Sequence, residues 1–558
     1  MISSTSSIPR SLRRAVGWLL LSLSIVTSIS LPWQKWTREK EEMANAAAIE
    51  AARRNSLLLE RYFDTPQSLF NAYLASLIAI IVMIKLFSRR IGGTSTIKTQ
   101  KDEKPDWAIS IQKRFLPVFW LVRTAFWMSG PYFYAVYSSK IVDGVPASAS
   151  LVSQIFLAGF ASIAIFGPLT GRAFDAYGRK KGTIAAALVY SLGAISTQSS
   201  IVSILFIGRA LGGVGTSMLA NAPESWLVAA FQSEGDNGKW LSDTFGLAFS
   251  GDYITAIIAG QIAGIAATQR GPTGPCQLSP IFLGVGALVA ALFWDENKAE
   301  VDPTSTTGRR LSARRYPPGS FSAALKVMVK DPKIMIVGGV QGLFEASMYV
   351  FVMQWPPALN EAVKNCYGES ASTPYGTVFS CFMACCLLGS AALGLLAKTR
   401  VTKLDSTTVL LAVSALSLGY AAYSVSGPPS LSGLTLAFFM FEACVGMYFP
   451  SIGSLRSQFL PDSHRALIMT LFGVPLNIMV VAIFVFIHKL GSRGALGVSS
   501  AALTISVLYM FKLRQIVRAE RRIKAKKSWK ILADQVKTGM VFQNAQCDMA
   551  NYNRGGIF

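Results

Sequence analysis

Long apolar runs separated by short polar breaks dominate the pattern of this 558-residue chain. Because a bilayer core of roughly 30 Å needs about 20 apolar residues per helical span, the runs have the length of membrane-spanning helices. A β-barrel is excluded because its strands would alternate apolar and polar residues with a period of two. The pattern predicts twelve core helices, at 114–138, 150–170, 182–199, 201–229, 244–268, 278–294, 334–358, 374–397, 405–426, 430–450, 465–488 and 495–512.

Two further apolar runs precede this core. The run 69–87 predicts an extra transmembrane helix, set between polar linkers in the region 33–112. The run 15–31 belongs to a predicted targeting segment, 1–32, and three readings of it stay open: a signal anchor, a cleaved signal or a transit element. All three place the polar segment after it outside the cytoplasm. The chain therefore has one or two extra amino-terminal helices.

Clusters of Lys and Arg set the orientation of the core. Basic breaks alternate with breaks that are not basic, and the positive-inside rule therefore puts both ends of the core in the cytoplasm. The helices divide into two groups of six around a long basic break. The predicted organisation is an N-terminal six-helix bundle, a cytoplasmic linker, a C-terminal six-helix bundle and a basic cytoplasmic tail, at 113–297, 298–333, 334–512 and 513–558.

Composition supports an all-α membrane protein and narrows its partners. Apolar residues make up 51% of the chain and charged residues 15%, which is too few charges to cover a soluble domain of this size. The net charge of +23 could suggest nucleic acid, but the cations lie between apolar runs, so topology explains them and no nucleic-acid partner is expected. With two His and no CxxC pair, the sequence predicts neither a metal site nor a cofactor. A disulfide between Cys276 and Cys366 stays open.

A cluster of glycines and charges, GPLTGRAFDAYGRKKG at 167–182, follows the second core helix. With twelve helices in two halves, it resembles the G-x-x-x-D-x-x-G-R-K signature of the major facilitator superfamily. The resemblance implies a conformational latch at the cytoplasmic rim, in which the acid caps a helix end or pairs with a cation of the opposite half. The alternative is a merely basic loop. The latch residues would be Gly167, Gly171, Asp175, Gly178, Arg179 and Lys180.

Longer stretches are similar to one family of that superfamily, the molybdate-anion transporters. They are GPYFYAVY at 130–137, QGLFEASMYVFVMQWPPAL at 341–359, FEACVGMYFPSIGSLR at 441–456 and FGVPLN at 472–477. The resemblance covers roughly 69–512 and implies a major facilitator fold and transport of a small oxyanion, most simply molybdate. Enzyme activity is not expected, because no Ser-His-Asp arrangement or metal cluster is present.

The chain departs from that family at two positions. The family has an Asp where this chain has Phe126 and an Arg where it has Gly473, so both charged positions are neutral here. Their joint loss leaves the exact substrate open. Arg123 in the first core helix and Asp252 in the fifth are positioned to form a replacement ion pair.

A tetrahedral oxyanion needs fixed positive charge and directed donors, which Arg provides better than Lys. Arg209 lies within the fourth core helix, and Arg123 is the second candidate, with snorkelling at a helix end as the alternative. Aromatic residues with hydroxyl or indole donors could line the cavity, or serve instead as packing and interface belt. These aromatic candidates are Trp127, Tyr132, Tyr134, Tyr349 and Tyr448.

Three carboxylates, Glu224, Glu345 and Glu442, lie in core helices four, seven and ten. A lone carboxylate in hydrocarbon is too costly to stay ionised, so each must be protonated, paired or exposed to a wet cavity. The superfamily resemblance puts helices four and ten at equivalent places, so we expect Glu224 and Glu442 to face each other near the midplane. The three acids would then carry coupling protons; structural hydrogen bonding between helices is the alternative.

The sequence thus predicts a multi-pass secondary active transporter that works by alternating access, as a monomer in the lipid bilayer. The plasma membrane is the expected location, and an endomembrane is the alternative. Two other functions stay open: a non-transporting receptor or scaffold with the same fold, and a transporter of another anion or of an organic solute.

Overall fold

The structure, a computed structural model, describes residues 63–92, 104–236, 238–297, 320–396, 399, 401–427, 430–461 and 465–537. The described chain is almost entirely helical, as predicted. Its α-helices are α1 (Pro66–Gly92), α2 (Asp106–Ser129), α3 (Phe133–Ser138), α4 (Ala149–Tyr177), α5 (Arg179–Ser196), α6 (Val202–Ser233), α7 (Lys239–Arg270), α8 (Gly274–Phe293), α9 (Ser320–Lys330), α10 (Pro332–Tyr367), α11 (Tyr375–Leu396), α12 (Lys403–Ser424), α13 (Leu431–Phe459) and α14 (Arg465–Lys537). The predicted targeting segment 1–32 and the end of the tail, 538–558, lie outside the described residues.

Ten of the described helices are long and apolar enough to cross a membrane. Helices α2 and α5 fall short by composition because each carries several cations, yet both pack within the same bundle as the others. The first part of α14 contributes the shorter apolar stretch Leu471–Phe486. The thirteen helices predicted for the core and for 69–87 are therefore all present as helical segments.

Three boundaries differ from the sequence prediction, each for a local reason. The first core helix is broken between α2 and α3 by a 3-10 turn, Gly130–Tyr132, where Pro131 has no N–H for the helical ladder. The last two predicted helices follow each other without a loop within α14 and are separated by a kink at Gly491, whose φ of 59° is not helical. The predicted linker is partly helical, because α9 occupies its second half.

A short β-hairpin joins α3 to α4. Strand β1 (Ile141–Val142) pairs antiparallel with β2 (Val145–Pro146). The two residues between the strands, Asp143 and Gly144, have φ values of 51° and 81°. Two successive positive φ values are typical of the Asp-Gly turn that closes tight hairpins.

The helices pack as two groups that meet along two seams. In the first group, α2 packs against α7 and α8, and α6 packs against α4 and α5. In the second group, α10 and α12 pack against α14, and α13 packs against α11 and α12. The seams between the groups are α7 against α11 and α4 against α14. We refer below to the two groups as the first and second halves; the exact domain boundaries predicted from charge remain predictions.

The extra helix α1 is attached to the second half, where it packs on α11. Leu69 and Phe70 are completely buried there. Gln67 Nε2 donates to Thr377 Oγ1 over 2.8 Å, and the Cys381 thiol donates to the carbonyl oxygen of Phe70 over 3.5 Å. Helix α1 is therefore held by both buried apolar side chains and hydrogen bonds to α11.

The two halves are in direct backbone contact at one end of the α7–α11 seam. A Cβ atom added at Gly376 would lie 2.2 Å from the carbonyl oxygen of Gly260 and 2.7 Å from the nitrogen of Gly264. The Gly376 N–H donates to the hydroxyl oxygen of Tyr132 over 3.1 Å, and Gln261 Nε2 donates to Ser380 Oγ over 2.9 Å. By the predicted orientation this end faces outside, and we call it the outer end.

Side-chain packing also closes the outer end. A single buried cluster there joins residues of the first half, such as Phe156, to residues of the second half, such as Phe484. Phe160 of α4 bridges the halves directly, with its ring 5.0 Å from that of Tyr349 and 5.7 Å from that of Phe484. By contrast, the buried cluster at the inner end of the first half contains only residues between 108 and 294. The structure is thus sealed at its outer end.

Candidate functional site

An ion pair at mid-depth of the first half forms the centre of the candidate site. Arg123 Nε lies 2.9 Å from Asp252 Oδ1, and a terminal guanidinium nitrogen lies 2.5 Å from Oδ2. Trp127 Nε1 also donates to Asp252 Oδ1, over 2.8 Å. The pair joins the middle of α7 to the middle of the helical segment that α2 and α3 form together. The predicted replacement pair is therefore confirmed, and Arg123 does not snorkel to a helix end.

Two properties of this pair bear on its function: the geometry of its hydrogen bonds and the burial of its side chains. The guanidinium is bound through two parallel hydrogen bonds, the strongest arrangement available to Arg and a carboxylate. The side chain of Arg123 keeps 22% of its surface accessible and that of Asp252 11%. Both side chains are therefore mostly enclosed, and that of Arg123 keeps about twice the accessible fraction of its partner.

Aromatic rings surround the guanidinium on α2. Its central carbon lies 4.7 Å from the ring centroid of Trp127 and 5.3 Å from that of Phe126. Phe126, which replaces the acid expected from the family resemblance, thus presents a ring face to the guanidinium instead of a charge. The Trp127 ring also lies 5.7 Å from that of Phe379 on α11. The ion pair therefore borders the second half.

Two more polar residues lie near the pair. Glu224 of α6 is half-buried and within electrostatic range of both Arg123 and Asp252. Tyr253, next to Asp252 on α7, is within electrostatic range of Asp252 and of Glu442 in the second half. One cation, two carboxylates and two aromatic donors thus come together from three helices of the first half.

Glu345 has a separate environment in the second half. The Tyr448 hydroxyl donates to Glu345 Oε1 over 3.2 Å, and Tyr448 itself is completely buried, with its ring stacked 3.8 Å from that of Phe344. Arg456 and Tyr349 are within electrostatic range of the carboxylate. Glu345 therefore joins α10 to α13 and is half-buried next to two predicted site tyrosines.

Glu442 is placed differently from the expectation that it faces Glu224. Its carboxylate accepts a hydrogen bond from the Cys386 thiol of α11 over 3.0 Å and is buried, with 7% of the residue exposed. Around it α11 and α13 are in backbone contact, because a Cβ atom added at Gly446 would lie 1.9 Å from the carbonyl oxygen of Cys386. This geometry favours the structural alternative for Glu442, a hydrogen bond between two helices of the same half.

Arg209 lies near the outer end and shares none of the described contacts of Arg123. Its guanidinium carbon is 4.2 Å from the ring centroid of Phe133 and 5.0 Å from that of Phe156. Gly159 makes room for it, since a Cβ atom there would lie 2.8 Å from Arg209 Nε. Among the described residues Nε has no hydrogen-bond partner. The predicted pair of substrate arginines is therefore not one site in this conformation.

The remaining predicted aromatic residues lie between the halves. Tyr132 contacts the start of α11 through its hydroxyl and through the ring of Tyr375, 5.9 Å away. Tyr134 is half-buried and within electrostatic range of the same Tyr375. Tyr349 packs against Phe160 of the first half. These residues help to seal the outer end, above the ion pair, instead of surrounding Arg123.

The predicted latch segment binds within its own half. The backbone N–H groups of Lys180 and Lys181 donate to the two carboxylate oxygens of Glu296, over 3.1 and 3.2 Å. The ammonium group of Lys180 donates to the carbonyl oxygens of Ala291 and Trp294 at the end of α8. Gly178, with a φ of 115°, leaves the space that Glu296 occupies. A carboxylate at the start of a helix is stabilised by the N–H groups and the helix dipole.

Other parts of the latch prediction have mixed outcomes. Gly167 does allow close approach of α4 to α6, since a Cβ atom there would lie 3.0 Å from Ser217 Oγ. The backbone of Arg179 donates to the carbonyl oxygen of Asn297 over 3.4 Å. Gly171 and Asp175 belong to α4, but their surroundings lie outside the described side chains. The pairing of Asp175 with a cation of the opposite half stays a prediction.

The open question about cysteines has a clear answer. Cys276 is completely buried near the start of α8, whereas Cys366 is exposed, and the two are not joined by a disulfide. The residues assigned to loops are in fact inside helices α8 and α10, which hold them apart. Within the described residues, no group of three or more His, Cys, Asp or Glu could hold a metal ion.

Sequence reasoning missed three residues that contribute to these contacts. Glu296 lies just after the apolar run of α8. An acid at that position, on the same predicted side of the membrane as the basic segment 179–181, was the available signal for a contact between them. Tyr253 is the sequence neighbour of Asp252, but its reach toward the second half depends on the packing of α7 on α11. Cys386 gave no signal, because a thiol inside an apolar run is usually only core.

Comparison with known proteins agrees with this architecture. A family model described as sugar transporters with 12 transmembrane helices matches residues 69–447. A molybdate-anion transporter of Takifugu rubripes is 30% identical over 75% of this chain and 87% of its own length. Its counterpart from Danio rerio is 28% identical over 75% of this chain and 87% of its own. A crystal structure of an auto-inhibited peptide transporter of the POT family is 14% identical, with a TM-score of 0.56 over 74% of this chain and 97% of that one.

Fold and matches together define a multi-pass integral membrane transporter of the major facilitator type, and not an enzyme. The peptide transporter shows only the shared fold. The two molybdate-anion transporters, which are more similar in sequence, narrow the family within that superfamily. The chain belongs to the molybdate-anion transporter family, as its sequence motifs indicate.

Proposed function

We propose that this protein carries molybdate, or a tetrahedral oxyanion of similar size and charge, across its membrane by alternating access. The observation that carries the proposal is the Arg123–Asp252 pair, which holds a guanidinium at mid-depth beside the seam between the halves and leaves the Arg123 side chain partly accessible. A charged Arg inside a membrane is costly, and such residues commonly line substrate pathways. The names of the relatives supply the identity of the anion.

Competition for the guanidinium gives the pair a mechanism. Asp252 occupies the donors that an oxyanion would bind, so anion and carboxylate compete for Arg123. A proton taken up by the neighbouring Glu224 reduces the negative charge around Arg123 and favours the anion in this competition. Anion binding and proton binding then favour each other, and by linkage uptake should increase as the pH falls.

Glu224 and Glu345 extend this coupling to both halves. Glu224 lies in the field of the pair, so it would take up a proton more readily when an anion arrives. Glu345 is held by Tyr448, between α10 and α13, and has no part in the ion pair. We assign it to proton release or uptake in the second half. Glu442, bonded to Cys386, is left out of the relay.

Alternating access requires the sealed outer end to open while the inner ends close. The contacts that would break are those between Tyr132 and α11 and those of Phe160 with the second half. The latch segment, bound to Glu296, would then form its contacts with the opposite half. We propose that the protein functions as a monomer in the plasma membrane.

Transport of another anion is the second candidate, and the neutral residues Phe126 and Gly473 favour it. Uptake of radiolabelled molybdate into proteoliposomes, with sulfate as competitor and an imposed pH gradient, tests both. We expect molybdate uptake that an acidic outer pH stimulates. If sulfate or another oxyanion is accumulated while molybdate is not, the second candidate replaces the first. If no solute is accumulated under any gradient, the receptor or scaffold alternative is supported.

Replacing Glu345 with Gln should flatten the pH dependence of uptake while leaving the protein folded, because the amide keeps a partner for Tyr448 but cannot take a proton. The measurement is the uptake rate between pH 5 and 8. The exposed Glu369, replaced in the same way, is the control and should leave the profile unchanged. A Glu345→Gln profile identical to that of the unaltered protein would exclude this residue from coupling.

A further inference from the structure

A basic pocket lies at the inner end of the second half, separate from the ion pair and from the latch segment. It is formed where α12 begins, where α13 ends and where α14 leaves its apolar stretch. Besides Thr402, its charged and polar lining consists of Lys403, Asp405, Gln458, Arg514, Arg518 and Arg521. We refer to these six residues as the inner basic pocket.

Helical spacing concentrates the positive charge of the pocket on one face of α14. Positions 514, 518 and 521 are separated by four and three residues, so their side chains lie above one another on the same side of the helix. Lys403 adds a cation from the first turn of α12. Four cations thus face one carboxylate, a balance that favours an anion in the pocket.

Asp405 does not neutralise the whole group. Its carboxylate pairs with Arg514 and accepts a hydrogen bond from the Thr402 hydroxyl over 2.6 Å. Both partners are thereby fixed in orientation. Within the described residues, Lys403, Arg518 and Arg521 form no ion pair, and all three are exposed. These three cations are therefore available to a ligand.

The nearest other acid on α14 points away from the pocket. Glu520 binds Lys333 at the start of α10, with 2.8 Å between its oxygen and the lysine nitrogen. Its position two residues after Arg518 places it on a different face of the helix. The cationic face is thus left to the pocket while the opposite face attaches α14 to α10.

The position of the pocket relative to the membrane indicates which anions it meets. Lys403 begins one membrane-spanning helix and Gln458 lies at the end of another, and both ends are predicted to face the cytoplasm. Residues at this level meet the headgroups of the inner leaflet, and clustered Arg and Lys between helices bind anionic headgroups there. We propose that the inner basic pocket binds the phosphate group of an anionic phospholipid of that leaflet. Arg518, Arg521 and Lys403 hold its oxygens.

The test is the thermal stability of the full-length protein in detergent with added ligands at matched ionic strength. The probes are dioctanoyl phosphatidic acid, dioctanoylglycerol and inorganic phosphate. Because a ligand that binds only the folded state stabilises it, we expect phosphatidic acid to raise the melting temperature by about 2–5 °C. Dioctanoylglycerol, which lacks the phosphate, should have no effect. An equal effect of inorganic phosphate would support the site and identify a soluble phosphate as its ligand.

Matched variants decide whether the effect belongs to this pocket. Replacing Arg518 and Arg521 together with Gln should remove the shift caused by phosphatidic acid. Lys512, an exposed cation two residues before Arg514 and on another face of α14, is the control, and Lys512→Gln should keep the full shift. An unchanged shift in the double variant, or an equal loss in the control, would overturn the proposal. Comparing each variant with and without ligand separates lost binding from lost stability.

Discussion

Replacing Arg123 with Gln should nearly abolish oxyanion uptake while the protein still folds and inserts. Arg123 provides the positive charge of the candidate site, and charge-assisted hydrogen bonds of this kind contribute about 1.5–3 kcal/mol each. Loss of one such contact would weaken anion binding by about 10- to 100-fold. The measurement is the dependence of the initial uptake rate on anion concentration in proteoliposomes.

Arg114 offers a matched control for this variant. It lies on the same helix and also pairs with a carboxylate, Asp295, but at the surface, where the acid is 90% exposed. Surface ion pairs contribute little, so Arg114→Gln should leave uptake near that of the unaltered protein. Exchanging the charges of Arg123 and Asp252 adds a second comparison. If the exchange variant folds but does not transport, the orientation of the guanidinium matters; if Arg123→Gln alone transports normally, the site assignment is wrong.

Replacing Gly376 with Ala should stop transport by preventing the outer end from closing. The added methyl group would meet backbone atoms of Gly260 and Gly264, at 2.2 and 2.7 Å, which cannot move aside as a flexible side chain can. The variant should therefore favour an outward-open state. We expect a cysteine introduced at Tyr132 to react faster with a membrane-impermeant reagent applied from outside, and uptake to fall at least about tenfold, since a bias of only 1.4 kcal/mol has that effect.

The same helix contains the control for this experiment. Gly394 of α11 has no atom within 4 Å of the position that a Cβ would occupy. Gly394→Ala should therefore transport and label like the unaltered protein. Equal loss of uptake in both variants, without a change in labelling, would show that a methyl group on α11 is harmful for reasons other than closure. The seam would then have no gating role.

The sequence predicted the helices well because each span must be a long apolar run, and that signal is strong. The prediction was least accurate where the backbone conformation of single residues, and not hydrophobicity, decides the structure. The α2–α3 break depends on Pro131, and the kink between the last two helices depends on Gly491 alone adopting a non-helical φ. Neither feature changes the apolar pattern.

The candidate site was predictable only in part. Arg123 and Asp252 carry opposite charges inside spans that pack together, and this need for a partner identified the pair. The expectation that Glu224 and Glu442 face each other was wrong. The two helices are equivalent in the fold, but their carboxylates point in different directions. Glu442 lies against Cys386 and not in the space near Arg123. The position of Arg209 among aromatic rings depends on Gly159, which has no signal of its own in the sequence.

Helix α1 precedes the first half in the chain yet packs on the second. The thirteen residues between Gly92 and Asp106 therefore connect a helix packed on the second half to the first helix of the first half, and the alternating access proposed above would move these halves against each other. A chain of that length reaches at most about 45 Å when fully extended. Its span sets an upper limit on how far the inner ends of the halves can separate, independently of any contact in the site.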